Sequence, residues 1–327
     1  MGITFSTEVR INSSSFDLTG QSPVMMIGSC FSDHIGGYLS KYKFNILKNP
    51  FGVLYNPSSI AQALKLVIEN TEITRDELVF HNNIWHSFFF HSSFSDTDID
   101  KTLEKTNRAI ADAHQFLKTA RFLFITFGTA WVYRHIAYGR VVSNCHKLPA
   151  SEFKRYRLSV DEVTDEWELL ISQVSDFNPD LRLIFTVSPI RHLKDGAHEN
   201  QLSKAVLFLS IDKLLGLYKQ FEYFPSYEIV HDELRDYRFY ADDLVHITDK
   251  AVAYLFEKFK RTYLNAETIE YINDIESIVL AAQHRILNKN VDETKKFAKT
   301  MLKKINSLEK KYPFVNFQLE KNHFENL

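Results

Sequence analysis

Short, mainly apolar runs alternate along this chain with longer stretches in which apolar residues recur every three or four positions. Four runs have strand character: 24–28, 122–128, 181–188 and 227–230. Predominantly apolar rather than strictly alternating, they suit strands buried on both faces. Between them the spacing predicts helices over 57–69, 100–119, 159–178 and 198–221, and a fifth capped by Thr248 and ending near Tyr263. Pro57 stands at a helix start, where its missing N–H is harmless. Ser159 and Glu162 form a capping box, and Asn178-Pro179 stops that helix. Strands alternating with long helices predict a parallel, doubly wound α/β sheet. Residues 78–94 break the pattern and read as extended chain beside that sheet, a short hairpin.

From about Asn265 the character changes to two charged amphipathic helices, near 267–288 and 291–311, with no further strand. Lys303 to Lys311 reads as a solvated face. The expected organisation is an N-terminal extension over 1–21, an α/β domain over 22–264 and a helical extension over 265–327.

Composition narrows the class. With 45% apolar and 24% charged residues and a net charge of −2, the 327-residue chain reads as a globular protein with no electrostatic footprint for nucleic acid. No run approaches the roughly 18 apolar residues of a membrane span. Most of the 27 Phe and 15 Tyr are expected to fill the core and some to line a pocket. Two cysteines, Cys30 and Cys145, allow one disulfide at most, which points to a reducing, cytoplasmic setting. The first residues lack the basic and apolar regions of a signal peptide. Gly2 and Ser6 fit the short and common myristoylation pattern.

In an open α/β sheet, ligands bind beyond the C-terminal ends of the strands. The first run delivers Gly28-Ser29-Cys30 there, a strand-to-helix turn presenting a hydroxyl and a thiol beside a helix N-terminus that favours a thiolate or an oxyanion. The second delivers Gly128-Thr129-Ala130-Trp131, and the third Ser188 to His192. The last loop carries Asp243-Leu244-Val245-His246. A carboxylate three residues before a histidine can orient the ring through one nitrogen and leave the other as a general base. The simpler reading is that Asp243 caps the next helix and His246 is a plain loop residue. Arg191 and His192 suit a substrate carboxylate or sugar hydroxyls, or else an ion pair anchoring their loop. His81, His86, His91, Cys145 and His146 do not match zinc-site spacings, so no metal is expected and they read as substrate contacts or hydrogen-bonded structural groups.

Gly28-Ser-Cys-Phe-Ser32, Asn49-Pro-Phe-Gly52, WHSFFFHSSFS, FGTAWVY, NCHKLP from Asn144, SPIRHLKDG and FYADDLVH follow one another in order. With Ser32 replacing a final Ala, this series resembles the GSCFA domain family over roughly residues 22–260. The resemblance implies a branch of the SGNH/GDSL hydrolases, with a flavodoxin-like α/β/α sandwich, a mostly parallel sheet and a C-terminal helical appendage. It implies hydrolysis or transfer of an acyl ester. Aligned on Gly28, Cys30 falls on the nucleophile; a register slip of one gives Ser29 instead. Cys30 is preferred because the strand must end at the glycine. Gly52 matches the glycine whose N–H joins that of Cys30 in the oxyanion hole. Ala130 replaces the usual Asn donor, a loss worth roughly a hundred- to a thousandfold in rate; Thr129, Asn144 or His146 are the available substitutes. Asp243 and His246 complete the last block, with His86, His146, Arg191 and His192 as substrate-binding candidates.

The expectation is thus a cofactor-independent acyl-ester hydrolase or acyltransferase. Its substrate is a small-molecule or glycan-linked acyl ester, with no nucleic acid and no membrane involved. The alternative is a non-catalytic module that binds a glycan or acyl ligand in the same cleft.

Overall fold

The computed structural model describes residues 7–283 and 291–327; Gly2, Ser6 and the end of the expected 267–288 helix lie outside them. Five strands, β1 (Val24–Gly28), β2 (Ile46–Lys48), β3 (Phe122–Phe127), β4 (Arg182–Val187) and β5 (Glu222–Tyr223), form the central sheet. They pair in the order β5-β4-β3-β1-β2, and every pairing is parallel. Counted from the β2 edge this is 2-1-3-4-5, the flavodoxin-like order whose winding reverses between β1 and β3.

Alternate strand residues serve opposite faces. Met25, Ile27, Leu123, Ile125 and Phe185 pack with α2 (Pro57–Glu69), α3 (Ile99–Thr119), α4 (Val160–Phe177) and α5 (Ala197–Leu217). Val24, Met26, Phe124 and Ile184 pack with α1 (Cys30–Lys41) and α6 (Asp249–Tyr263). The result is a three-layer α/β/α arrangement. The C-terminal helices α7 (Ala266–Gln283), α8 (Val291–Lys311) and α9 (Gln318–Glu325) extend the α1/α6 side. Ile272, Ile275, Ile305, Phe317 and Phe324 join the same core, while Lys303, Lys304, Lys310 and Lys311 stay exposed as the charge pattern predicts.

Local chemistry explains the agreement. The Ser159–Glu162 capping box is formed, with Glu162 N–H donating to Ser159 Oγ at 3.1 Å. Thr248 caps α6 by accepting from the Ala251 N–H. The hairpin Leu78–His81/Ile84–Ser87 turns through Asn82 and Asn83, both with positive φ as a two-residue loop requires.

The expected fourth strand is a correction. Residues 227–230 are helical, within Ser226–Glu228 and Ile229–Glu233, and the edge strand is the earlier, two-residue β5. Ser226 Oγ donates to the Val187 carbonyl at 2.7 Å, which starts the helical turn against the end of β4. Ile229 and Val230 are apolar because the turn is buried, and a short apolar run does not distinguish the two conformations. Absent from the sequence reading is a second antiparallel sheet of Trp131–His135, Val141–Val142 and Phe153–Arg157, which stands beside the end of β3.

Two contacts fix the strand ends. Gly28 has φ +135°, and a Cβ there would lie 2.2 Å from the Thr126 carbonyl oxygen. Lys204 of α5 is fully buried; its Nζ donates to the carbonyls of Gly128 and Ser188, each at 2.7 Å, and ties the ends of β3 and β4 together.

Gly28→Ala is therefore expected to lower the urea midpoint without changing the slope, with a cost of at least about 1–3 kcal/mol from backbone strain and more from the clash. An unchanged midpoint contradicts this packing. Burial pushes the Lys204 amine down to about 7. The unfolded chain regains the ordinary lysine value, so above pH 7 it binds the extra proton and stability rises with pH. Relative to Lys204→Met, the wild type should gain stability from about pH 7.5 to 9.5, by up to about 1.4 kcal/mol per unit. A pH-independent difference in urea melts refutes it.

Candidate active site

The ends of β1, β3 and β4 open into a cavity of ≈ 660 Å³ at the winding reversal. Its floor is shaped by the segment after β2. Asn49, with φ +40°, turns its side chain back under the first strand. Its Oδ1 accepts from the Gly28 N–H and its Nδ2 donates to Asp33 Oδ1, both at 2.9 Å. Leu54 N–H then donates to the Gly28 carbonyl, and the Tyr55 carbonyl accepts from the Gly128 and Thr129 N–H groups at 2.7 and 2.9 Å. This loop stitches β1 to β3 and delivers Tyr55 to the cavity.

Ser29 and Cys30 take different parts. Ser29 is the N-cap of α1, nearly inaccessible, its Oγ accepting from the Phe31 N–H at 3.4 Å. Cys30 is the first helical residue and lines the cavity with its thiol 4.0 Å from the Tyr55 hydroxyl. Its N–H has no acceptor among the described residues, as expected in a first helical turn. Burial pushes the thiol above the ordinary cysteine value, partly offset by the Tyr55 hydroxyl.

His246 lines the same cavity. Asp243 Oδ2 accepts from its Nδ1 at 2.5 Å, and Asp243 Oδ1 accepts from the Val245 and His246 N–H groups, each at 2.9 Å. Leu244 adopts a left-handed φ of +57° that closes this turn. The hydrogen bond from His246 holds the Asp243 carboxyl down at about 2. Since Thr248 caps α6, Asp243 is not the helix cap, and its carboxylate is given to the imidazole. Nε2 of His246 has no hydrogen-bond partner among the described residues. Cys30 and His246 face one cavity without a direct hydrogen bond between them.

The oxyanion candidates separate. The Gly52 N–H donates to the Asn49 carbonyl at 2.8 Å and Gly52 does not line the cavity, so this glycine makes the turn and is corrected as a donor. Thr129 lines the cavity, but its hydroxyl is shared with Ser203 at 3.1 Å and accepts from the Trp131 N–H. Asn144 lines it with Oδ1 accepting from the His146 N–H, which leaves its amide nitrogen without a partner among the described residues.

His86 and His146 are not in the cavity. Their rings stack at 4.4 Å behind its wall, His146 Nε2 donating to the Ser87 carbonyl at 2.8 Å and His86 Nδ1 joined to Ser95 Oγ at 2.7 Å. Burial pushes His146 down to about 4, so the pair is neutral and structural, correcting a substrate-binding role. Arg191 and His192 do line the cavity. Burial pushes His192 down to about 4 as well, and its Nε2 is buried without a partner. Among the described residues, no three His, Cys, Asp or Glu side chains converge as a metal site. Nor is any helix there long and apolar enough to cross a membrane.

Sequence reasoning brought Trp131 to this edge of the sheet but missed Tyr55, Tyr133 and Arg155, which with it form much of the wall. Trp131 and Tyr133 sit two apart on one strand of the small sheet, so their spacing in AWVY was the available signal.

A search of curated proteins finds no match to this chain. The model of the GSCFA family matches residues 23–259, and that of the GSCFA domain protein, C-terminal domain, matches residues 275–327. Spanning the central sheet, the cavity and the Asp243–His246 turn, the first match establishes that the chain belongs to the GSCFA family.

Proposed function

We propose that the protein is an acyl-ester hydrolase or acyltransferase of SGNH/GDSL-like chemistry, with Cys30 as nucleophile, His246 as general base and Asp243 orienting the imidazole. The observation that carries this reading is the 2.5 Å Asp243–His246 contact, which leaves Nε2 open on the cavity that Cys30 lines. A carboxylate on Nδ1 fixes the tautomer with its proton there and makes Nε2 the basic nitrogen. Nε2 takes the thiol proton, and the thiolate adds to the ester carbonyl. The Cys30 N–H and the Asn144 amide, both residues lining the cavity, are the donors available to the resulting oxyanion. Collapse breaks the ester C–O bond, His246 returns the proton to the departing alcohol, and a thioester remains on Cys30. Water or a second hydroxyl, deprotonated by His246, then takes the acyl group, giving hydrolysis or transfer respectively. The thiol, raised by burial, depends on that base more than an exposed cysteine does.

A second reading, a binding module for a glycan or acyl ligand, is favoured by two features. Cys30 contacts Tyr55 rather than His246, and the buried Ala130 supplies no side-chain donor. Cys30 that resists iodoacetamide at neutral pH under native conditions would favour this reading.

Purified protein should release p-nitrophenol from short acyl esters. His246→Ala and Cys30→Ala should each lower kcat/KM by at least about a hundredfold while circular dichroism and melting stay near wild type. Full activity in His246→Ala overturns the assignment.

A further inference from the structure

Among the described residues no aspartate or glutamate lines the cavity, whereas Arg155, Arg191 and Lys194 do. Arg155 is neutralised by a two-pronged ion pair with Asp195 and lies over the Trp131 ring, 4.4 Å from its centroid. That pair anchors the loop after β4, so Arg191 is not needed as its anchor. Arg191 has no carboxylate within ion-pair distance among the described residues; its guanidinium lies 6.0 Å from the Tyr240 ring centroid. Lys194 likewise donates to a neutral group, the Tyr133 hydroxyl, at 2.6 Å. Beneath the floor, Lys204 donates to the Gly128 and Ser188 carbonyls and lies 5.5 Å from the Tyr227 ring centroid, and burial that pushes its amine down to about 7 leaves it little charge to offer. Asp33, whose charge reaches Cys30, is turned away toward Asn49 Nδ2 at 2.9 Å.

Two cations on the cavity, Arg191 and Lys194, thus have no carboxylate partner among the described residues. A cavity-lining guanidinium without a carboxylate partner is free to take an anionic guest as that partner. A guanidinium fork adds geometry, since it meets two oxygens of a planar or tetrahedral oxyanion at once. We propose that the acyl substrate carries an oxyanionic group, a carboxylate or a phosphate, which Arg191 binds with support from Lys194. This rests on the reading of the Cys30 cavity as the substrate site and deepens it. Arg191 is then the specificity-determining residue, and anionic esters are turned over with a higher kcat/KM than neutral ones such as p-nitrophenyl acetate.

Charge selection is measurable without turnover. Iodoacetate and iodoacetamide alkylate the same thiolate, each forming an S–C bond as iodide leaves, so their rate ratio at Cys30 is independent of how much thiolate is present. The ratio is quantified by mass spectrometry of the peptide containing Cys30 and divided by the ratio for glutathione. We expect a preference for iodoacetate of at least about tenfold over glutathione, falling to about twofold or less in Arg191→Gln. Glutarate and inorganic phosphate should each protect Cys30 from iodoacetamide, the stronger protector identifying the oxyanion as carboxylate or phosphate. A wild-type ratio equal to that of glutathione, or a preference unchanged in Arg191→Gln, overturns the proposal. If Cys30 reacts with neither reagent, calorimetry with glutarate and phosphate decides. Binding weakened at least about tenfold by Arg191→Gln supports the site, and no binding of either anion by the wild type overturns it. An intact anion preference in a protein without esterase activity refutes only the catalytic reading.

Discussion

The carboxamide of Asn49 is the contact on which the site's geometry depends. It accepts from the N–H of Gly28 and donates to Asp33, so one side chain holds both the end of β1 and the first turn of α1. Gly28 in turn has no room for a side chain, because the strand ends pressed against the Thr126 carbonyl. The chain must therefore leave β1 in one direction, and the next two residues are fixed by that exit. Ser29 becomes the cap and Cys30 the first helical residue. The segment that carries Asn49 continues into Tyr55, whose carbonyl binds the N–H groups of Gly128 and Thr129 across the switch point. A single loop sets the position of the thiol, the adjacent tyrosine and the start of the opposite wall.

The chemistry follows from how polar groups are divided between structure and cavity. Ser29, Thr129, Gly52 and His146 are engaged in hydrogen bonds that hold the backbone or one another. Cys30, the Nε2 of His246, the Asn144 amide and Arg191 are left facing the cavity with weak protein partners or none among the described residues. Groups already satisfied are poor candidates for new bonds to a ligand, since each must give up a bond to make one. The open groups include a thiol, a base and a cation, which is the set that an ester with an anionic end requires.

Much of the fold was legible because its signals are local. The capping box at Ser159, the proline at 57, the Thr248 cap and the two-asparagine hairpin all act within a few residues. The Asp243–His246 contact was legible for the same reason, being three residues apart on one turn. What was not legible depends on distant partners. The 227–230 helix is started by Ser226 reaching the end of β4. The small sheet is held by pairing Trp131–His135 with residues more than a dozen positions on. Lys204 looked like an ordinary polar position of α5 until its two carbonyl acceptors were seen. Gly52 and the His86–His146 pair matched site positions by pattern, yet tertiary packing places them behind the cavity wall.

The most direct measurement is the mass of the peptide containing Cys30 after brief mixing with p-nitrophenyl acetate and an acid quench. If Cys30 is the nucleophile, that peptide carries one acetyl group that neutral hydroxylamine removes, and the Cys30→Ala variant carries none on the corresponding peptide. Ester turnover with Cys30 unmodified, or an acetyl group found on Cys145 or Ser29 in its place, contradicts the assignment.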